Sequence, residues 1–366
     1  MHRNLSGRMM VVGLGLGVLG CDMEPGSEHL GGADMELRSE IPNGQVLNSA
    51  VLNGIQFNGI QFNGIQFNGI QFNGIQFNGI QFNGIQFNGS SFSGTIDLGN
   101  GPVLKSGLDF IGAEIKLSTA TATYTLKFDN IYKNPAQPTS DVYFYSISWR
   151  DDAVGTWSSM CTDGSGSPIE AIPMTNYWNM ATGARVDDTN VITFACRGAV
   201  LAKCVEWGYV PWKTATMCDE KGNNCVVKSL KDHHQACTRL ARADYCGDGR
   251  SYTFNGTPID VYDRVSPKLQ ARTTSGAAWP VEAEWSPNGA TCVGNELRMQ
   301  MYDDQGIPYT TPACLGVLDG LDHCGDFHKS RPTSLIANAY CFQWTSNPTL
   351  CGTAGDDTAP KKPAKK

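Results

Sequence analysis

Residues Ile55 to Gly89 read Ile-Gln-Phe-Asn-Gly seven times without a substitution. In a straight β-strand side chains alternate between faces, so an odd period puts Phe57 on one face and Phe62 on the other and leaves no continuous apolar face. In a helix each unit advances about 140° beyond a full turn, which smears Ile and Phe around the cylinder, and one Gly per unit costs about 1 kcal/mol against Ala. The period therefore predicts a chain that turns a corner in every unit, with Gly supplying a positive φ at the corner and two apolar residues pointing inward.

In that register the units resemble the pentapeptide-repeat family. Their centres are Leu47, Leu52, Phe57, Phe62, Phe67, Phe72, Phe77, Phe82, Phe87 and Phe92, and Asp97 breaks the pattern. Four units make one square coil in that family, so the resemblance implies a short right-handed β-solenoid of about two and a half coils, each rising about 4.8 Å. So short a solenoid needs caps at its ends. The family normally has a small residue two before the centre, as at Ala50 and Ser90, whereas Ile55 through Ile85 place a bulky residue there and force the coil to widen. A disordered tract and a cross-β segment of stacked Phe and Asn are the competing readings.

Upstream, His2, Arg3 and Arg8 precede an apolar stretch from Met9 to Leu19, the charge and length of a signal peptide over residues 1–20. Val18-Leu19-Gly20-Cys21 resembles a bacterial lipobox, which implies that Cys21 carries acyl chains. Two or three such chains hold a protein firmly in a bilayer. Residues 21–45 are polar and read as a tether, followed by the repeats over 46–96.

The chain has 13 cysteines. With Cys21 reserved for lipid, an even set remains: Cys161, Cys196, Cys204, Cys218, Cys225, Cys237, Cys246, Cys292, Cys314, Cys324, Cys341 and Cys351. Such density implies disulfides and an oxidising compartment, with the pairing left open. The spacings lack Cys-x-x-Cys pairs and the haem motif, so no cofactor is expected. The implied address is the cell envelope, lipid-anchored on the periplasmic or outer-membrane surface. A net charge of −7 argues against a nucleic-acid partner. The Lys-rich end, in a disordered tail over 353–366, reads as a solvated run.

Residues 99–352 read as one disulfide-rich domain. Ala113, Ile115 and Leu117, then Ala122, Tyr124, Leu126 and Phe128, alternate with polar residues and predict a hairpin. Tyr143 to Trp149 and Val191 to Cys196 are further strand candidates, as are Pro258 to Tyr262, Val281 to Trp285 and Glu296 to Tyr302. Val227, Leu230, His234, Cys237 and Ala241 fall at helical spacing, so Val226 to Arg242 is expected as the one main helix, with Cys237 bonded to sheet or loop. The expected class is mainly β with one main α-helix, a disulfide-rich α+β fold.

Four blocks carry a second resemblance: Thr193 to Ala199, Lys203 to Tyr209 with Pro211-Trp212, His234 to Arg239, and Ala243 to Gly249. They are similar to the signature of the ADYC domain, a family of secreted or lipoprotein-type bacterial proteins, notably of myxobacteria. The likeness runs from about Gly107 to Gln300. It implies fold and location and brings no catalytic residues.

Candidate sites follow from residue chemistry. Asp244 and Asp248 flank Cys246 and suit a paired acid and base, although Asp248-Gly249 also reads as a turn. His233, His234, His323 and His328, with Asp322 and Asp326, are the weak candidates for a metal, in a spacing that matches no established motif. Trp207, Tyr209 and Trp212 suit either a glycan platform or packing against a disulfide. The reading that joins these is a membrane-tethered envelope protein that binds a protein or polysaccharide, or has a structural role. The alternatives are a hydrolase using Asp244 and Asp248, and a multi-copy peptide precursor with the repeats as cores.

Overall fold

The computed structural model describes the chain from Ser49 to Phe342, apart from residues 54–55, 58–59, 63–64, 68–69, 79, 82, 119–121, 134–139, 164, 180, 189–190, 219–224, 254–256, 300–310 and 319–323. For Ser49–Ile75 it describes the backbone alone. The expected signal peptide, Cys21, the tether, Cys351 and the basic tail lie outside these residues.

The elements run in chain order as β1 (Ser49–Asn53), β2 (Gln56–Phe57), β3 (Ile60–Phe62), β4 (Ile65–Phe67), β5 (Ile70–Phe77), β6 (Ile80–Gln81), β7 (Asn83–Asn88), β8 (Ser91–Asp97) and β9 (Pro102–Ser106). A 3-10 turn at Gly107–Phe110 precedes β10 (Glu114–Ser118), β11 (Thr123–Lys133), β12 (Tyr143–Asp151), β13 (Ser158–Ser159), β14 (Ala171–Thr175), β15 (Tyr177–Trp178), β16 (Arg185–Val186), β17 (Val191–Cys196) and α1 (Val200–Glu206). The remainder is β18 (Thr214–Met217), β19 (Val226–Ser229), α2 (Lys231–Arg242), β20 (Ile259–Asp263), β21 (Val265–Ser266), β22 (Val281–Ser286), β23 (Gly289–Val293), α3 (Leu315–Leu318) and β24 (Ile336–Tyr340). The protein is thus mostly β with few helices.

The main sheet follows the path β1-β17-β14-β12-β11-β10-β5-β2. Its first and last strands are separated in the chain by only Gly54 and Ile55 and are not hydrogen-bonded to each other among the described residues. The inner face holds Phe92, Phe110, Phe128, Tyr145 and Phe194 with Ile115, Leu117, Leu126 and Ile147. The outer face carries Phe144, Ile172, Met174 and Ala195, covered by Leu201, Ala202 and Val205 of α1. This split is the period-two alternation read from the sequence, and the expected hairpin forms with Ile115 opposite Leu126.

A second antiparallel sheet, β20-β24-β22-β23, packs Ile259, Val261, Ala283, Trp285 and Ile336 against Ala236, Cys237, Leu240 and Ala241 of α2. The two helices are joined by the Cys204–Cys237 disulfide, so the partner of Cys237 sits on a helix and not, as expected, in sheet or loop. Cys161–Cys196, Cys218–Cys225, Cys246–Cys314 and Cys292–Cys324 are the other described pairs, and Cys341 is disulfide-bonded as well. No helix among the described residues is long and apolar enough to cross a membrane.

The described repeat strands do not form the expected solenoid. Every ladder they make is antiparallel, where a coil would stack them in parallel. Asn-Gly is a strong two-residue hairpin signal because both central residues of that turn take positive φ. Asn78, between β5 and β6, has φ 49. A hairpin returns the chain after three residues, so the odd period never has to run along one strand. Where a strand does continue through an Asn-Gly, a bulge absorbs the extra residue. In β5, Phe72 lies opposite Leu117 and Ile75 opposite Ile115, three residues against two. In β7 and β8 the same shift falls between Asn83 and Gln86.

Three further differences appear. The helix begins at Lys231, because Val226–Ser229 pairs with Thr214–Met217 behind the Cys218–Cys225 disulfide. The Ser229 hydroxyl then accepts the Lys231 amide at the helix start. Val200–Glu206 is a second helix that the spacing did not suggest. Glu296–Met299, the described part of one expected strand, pairs with no strand, and Arg298 turns inward to Glu282.

The last repeat unit is built into the core. Phe92 lies 4.9 Å from the Phe87 ring, 5.5 Å from Phe128 and 6.0 Å from Phe110, with Tyr145 and Phe194 just beyond. Ser90, in place of the recurrent Ile, is buried; its hydroxyl donates to the Asp141 carbonyl and accepts the Tyr143 amide. Phe92→Ala is expected to lower the unfolding free energy by about 4 kcal/mol in denaturant titration, since a cavity opens where five rings meet.

Candidate functional site

The residues with chemical potential gather where α2 ends against the second sheet. Ala243 closes α2 in the left-handed region at φ 52, and its amide and that of Asp244 return to the Leu240 and Arg239 carbonyls. This reversal points the Asp244 carboxylate back at the helix. One oxygen accepts Arg239 Nη1 at 2.5 Å and the Gly249 amide at 3.0 Å, and the other accepts the Asp248 amide at 3.1 Å. Arg239 also donates to the Thr182 and Pro287 carbonyls, and Arg242 to the Gly249 carbonyl. The turn needs glycine at 249, where φ is 91 and a Cβ would stand 2.3 Å from the Ala181 carbonyl. Tyr245 stacks on Trp285 with ring centroids 5.3 Å apart and donates its hydroxyl to Glu282 at 2.5 Å. Cys246 bonds to Cys314. Each of the four residues Ala243 to Cys246 thus fixes a different contact: the reversal, the arginine clamp, the sheet and the crosslink.

The sequence profile of the ADYC domain matches residues 107–299, more than half of the chain. The chain belongs to the ADYC domain family. No curated protein and no solved structure matches it.

Around this signature the chain aligns a run of partly and fully buried charges. Tyr132 donates to Glu170 at 2.7 Å, Glu170 pairs with Arg197 at 3.2 Å, and Arg197 grips Glu206 through two nitrogens. Lys203, one helical turn before Glu206, is buried and feels both Glu206 and Arg298; burial pushes its ammonium down to about 7. Burial raises the Glu206 carboxyl against the pull of Arg197. Arg298 pairs with Glu282 at 3.3 Å, and Asn338 bridges Glu282 to the Trp285 indole. In the same strand, Glu284 accepts the Gly325 and Phe327 amides and both ends of the Arg331 fork; burial raises its carboxyl, but Arg331, Ser334 and the Phe327 amide outweigh this and hold it below the usual range.

The residues singled out from the sequence fall into separate places. Asp244 is buried in its clamp, while Asp248 lies on the surface and accepts the Arg250 amide. Burial raises the Asp244 carboxyl against the pull of Arg239. The two carboxylates therefore share a turn, and both Asp244 oxygens are occupied by its donors. Trp207 and Tyr209 are core residues, with the Tyr209 hydroxyl donating to Asp263 at 3.0 Å. Trp212 is half-buried at the repeat junction and donates to Asp141 at 3.0 Å. These three do not form a shared exposed platform.

His233 stacks on Tyr209, and His234 packs on Trp178 with Nε2 at 3.0 Å from the Leu201 carbonyl. His328 is half-buried and meets the Ser330 hydroxyl, and His323 and Asp322 lie outside the described residues. Among the described residues no three His, Cys, Asp or Glu side chains are arranged for a metal ion. Lys203, Glu206, Glu282, Arg298 and Asn338 were missed by the sequence reading. For Glu282 and Glu284 a signal was present, because charges alternate within an otherwise apolar strand, Val281 to Ser286.

Asp244→Asn is expected to lower stability by about 3 kcal/mol, because it leaves Arg239 buried without its counter-charge; denaturant titration reads it directly. Burial depresses both His233 and His234 to about 4. The unfolded chain therefore binds protons first, and stability is lost as pH falls from about 6.5 toward 4. Asp263, raised by burial to about 6, opposes this by taking its proton first in the folded state. His233→Phe is expected to lessen the loss of stability between pH 7 and pH 5 by about 2 kcal/mol, measured by unfolding at the two pH values.

Proposed function

We propose that this chain is an extracytoplasmic protein, held to a membrane through acylated Cys21, whose ADYC domain and repeat strands bind an envelope protein or polysaccharide or act structurally. The observation that carries the location is the set of five described disulfides that tie helix to helix and loop to strand, since such crosslinks persist in oxidising compartments. The lipobox-like Val18-Leu19-Gly20-Cys21 supports the anchor. A binding role is favoured over turnover because Asp244 spends both oxygens on the turn that it closes. A hydrolase would need that carboxylate turned toward a substrate.

Mass spectrometry of the protein from its native membrane tests the reading. Acyl chains on Cys21 and no free thiol are expected; an unmodified Cys21 with reduced cysteines would sink it. Replacing Cys204 and Cys237 together by Ala is expected to lower stability by about 3 kcal/mol, read by thermal melting.

A further inference from the structure

The three-stranded sheet β7-β8-β9 has two outer edges of opposite character. The edge made by β9 is blunted by Pro102, which has no N–H, and by the charge of Lys105, two devices that discourage strand addition. The edge made by β7 reads Asn83-Gly84-Ile85-Gln86-Phe87-Asn88, with neither proline nor charge, and pairs among the described residues only with β8. Its bulge beside Gly84 confines the regular free edge to Ile85–Asn88. Along it Ile85 and Phe87 are half-buried against the core around Phe92 and Phe110, and Gln86 and Asn88 are exposed.

The repeats also display what such a strand pairs with. Three ladders between identical Ile-Gln-Phe-Asn-Gly units are described: Gln61 faces Gln66 with Ile60 opposite Phe67, Gln76 faces Gln81 with Phe77 opposite Ile80, and Gln56 faces Gln71 with Phe57 opposite Ile70. Each runs antiparallel with Gln on Gln and Ile on Phe. An Ile-Gln-Phe strand is therefore its own complement.

We infer that β7 pairs with β7 of a second copy of this chain. The two strands run antiparallel about a two-fold axis through Gln86, with Gln86 facing its own copy and Ile85 facing Phe87 in both directions. The contact is isologous and closes at two copies, joining the two sheets into one. It supplies the β7 backbone with the partners that its edge lacks and extends the apolar face of Ile85 and Phe87 across the axis.

The test is the mass of the full chain in solution by sedimentation, with a charge swap at the axis. Gln86→Lys and Gln86→Glu each set like charges against each other and are expected to weaken self-association by about tenfold or more. An equimolar mixture of the two variants is expected to restore it, because the charges are then opposite. Gln86 is exposed, so thermal melting of each variant, at a concentration too low for the parent to associate, should match the parent and separate lost pairing from lost folding. A parent chain that stays monomeric at the highest concentration reached, variants that associate as the parent does, or a mixture that fails to recover would each overturn the inference.

Discussion

The contact of Phe92 with the rings of Phe87, Phe110, Phe128, Tyr145 and Phe194 holds the first half of this protein together. These rings come from the repeats, the 3-10 turn and three strands of the main sheet, so one side chain fixes segments roughly a hundred residues apart in sequence. An offset or tilted aromatic pair adds about 1 kcal/mol beyond burial, and Phe92 makes several at once. The last repeat is thereby part of the core of the ADYC-domain sheet. Gly89 reinforces the junction. It lies at φ 67, and a Cβ there would stand 2.8 Å from the Trp212 indole nitrogen.

Once Phe92 is anchored, the odd period of the preceding units becomes a geometric problem with two solutions. A turn at Asn-Gly reverses the chain after Ile-Gln-Phe, and a bulge at Asn-Gly lets the strand continue while discarding one residue of register. Both occur, the first between β5 and β6 and the second within β5 and β7. Gly94 serves the same end from the opposite strand, since a Cβ there would meet Ile85 Cδ1 at 2.7 Å. Asn and Gly recur because either solution needs residues that tolerate positive φ.

What could be read from the sequence was local. Strands with period-two alternation, the even cysteine set and the signature blocks were visible because each depends on neighbours within a few residues. The parity argument failed for the repeats because it assumed one continuous strand, and the Asn-Gly turn signal inside every unit was the missing term. The helix start was misplaced by five residues because Val226 and Val227 keep helical spacing while a disulfide across residues 218–225 holds them in a hairpin. At the candidate site the clamp residues were named but their roles were not. Asp244 finds Arg239 five residues back along the chain, whereas Glu282 finds Tyr245, Arg298 and Asn338 only after the chain has returned from residues 16 to 56 positions away.

The buried charges bear on how the two helices dock. Taking Lys203, Arg298, Glu282 and Glu206 out of water costs several kcal/mol per ion, and apolar residues of the same size often do as well for stability. Pairing answers that cost only in the arrangement that brings all partners together, so a misdocked α1 or α2 strands a charge in an apolar layer. The Cys204–Cys237 bond restricts the helices to that neighbourhood, and the charges then select one docking within it. Seen this way, Asp244 belongs with the same device. It fixes where α2 stops, which sets where Tyr245 reaches Glu282, which in turn orients the carboxylate that meets Arg298.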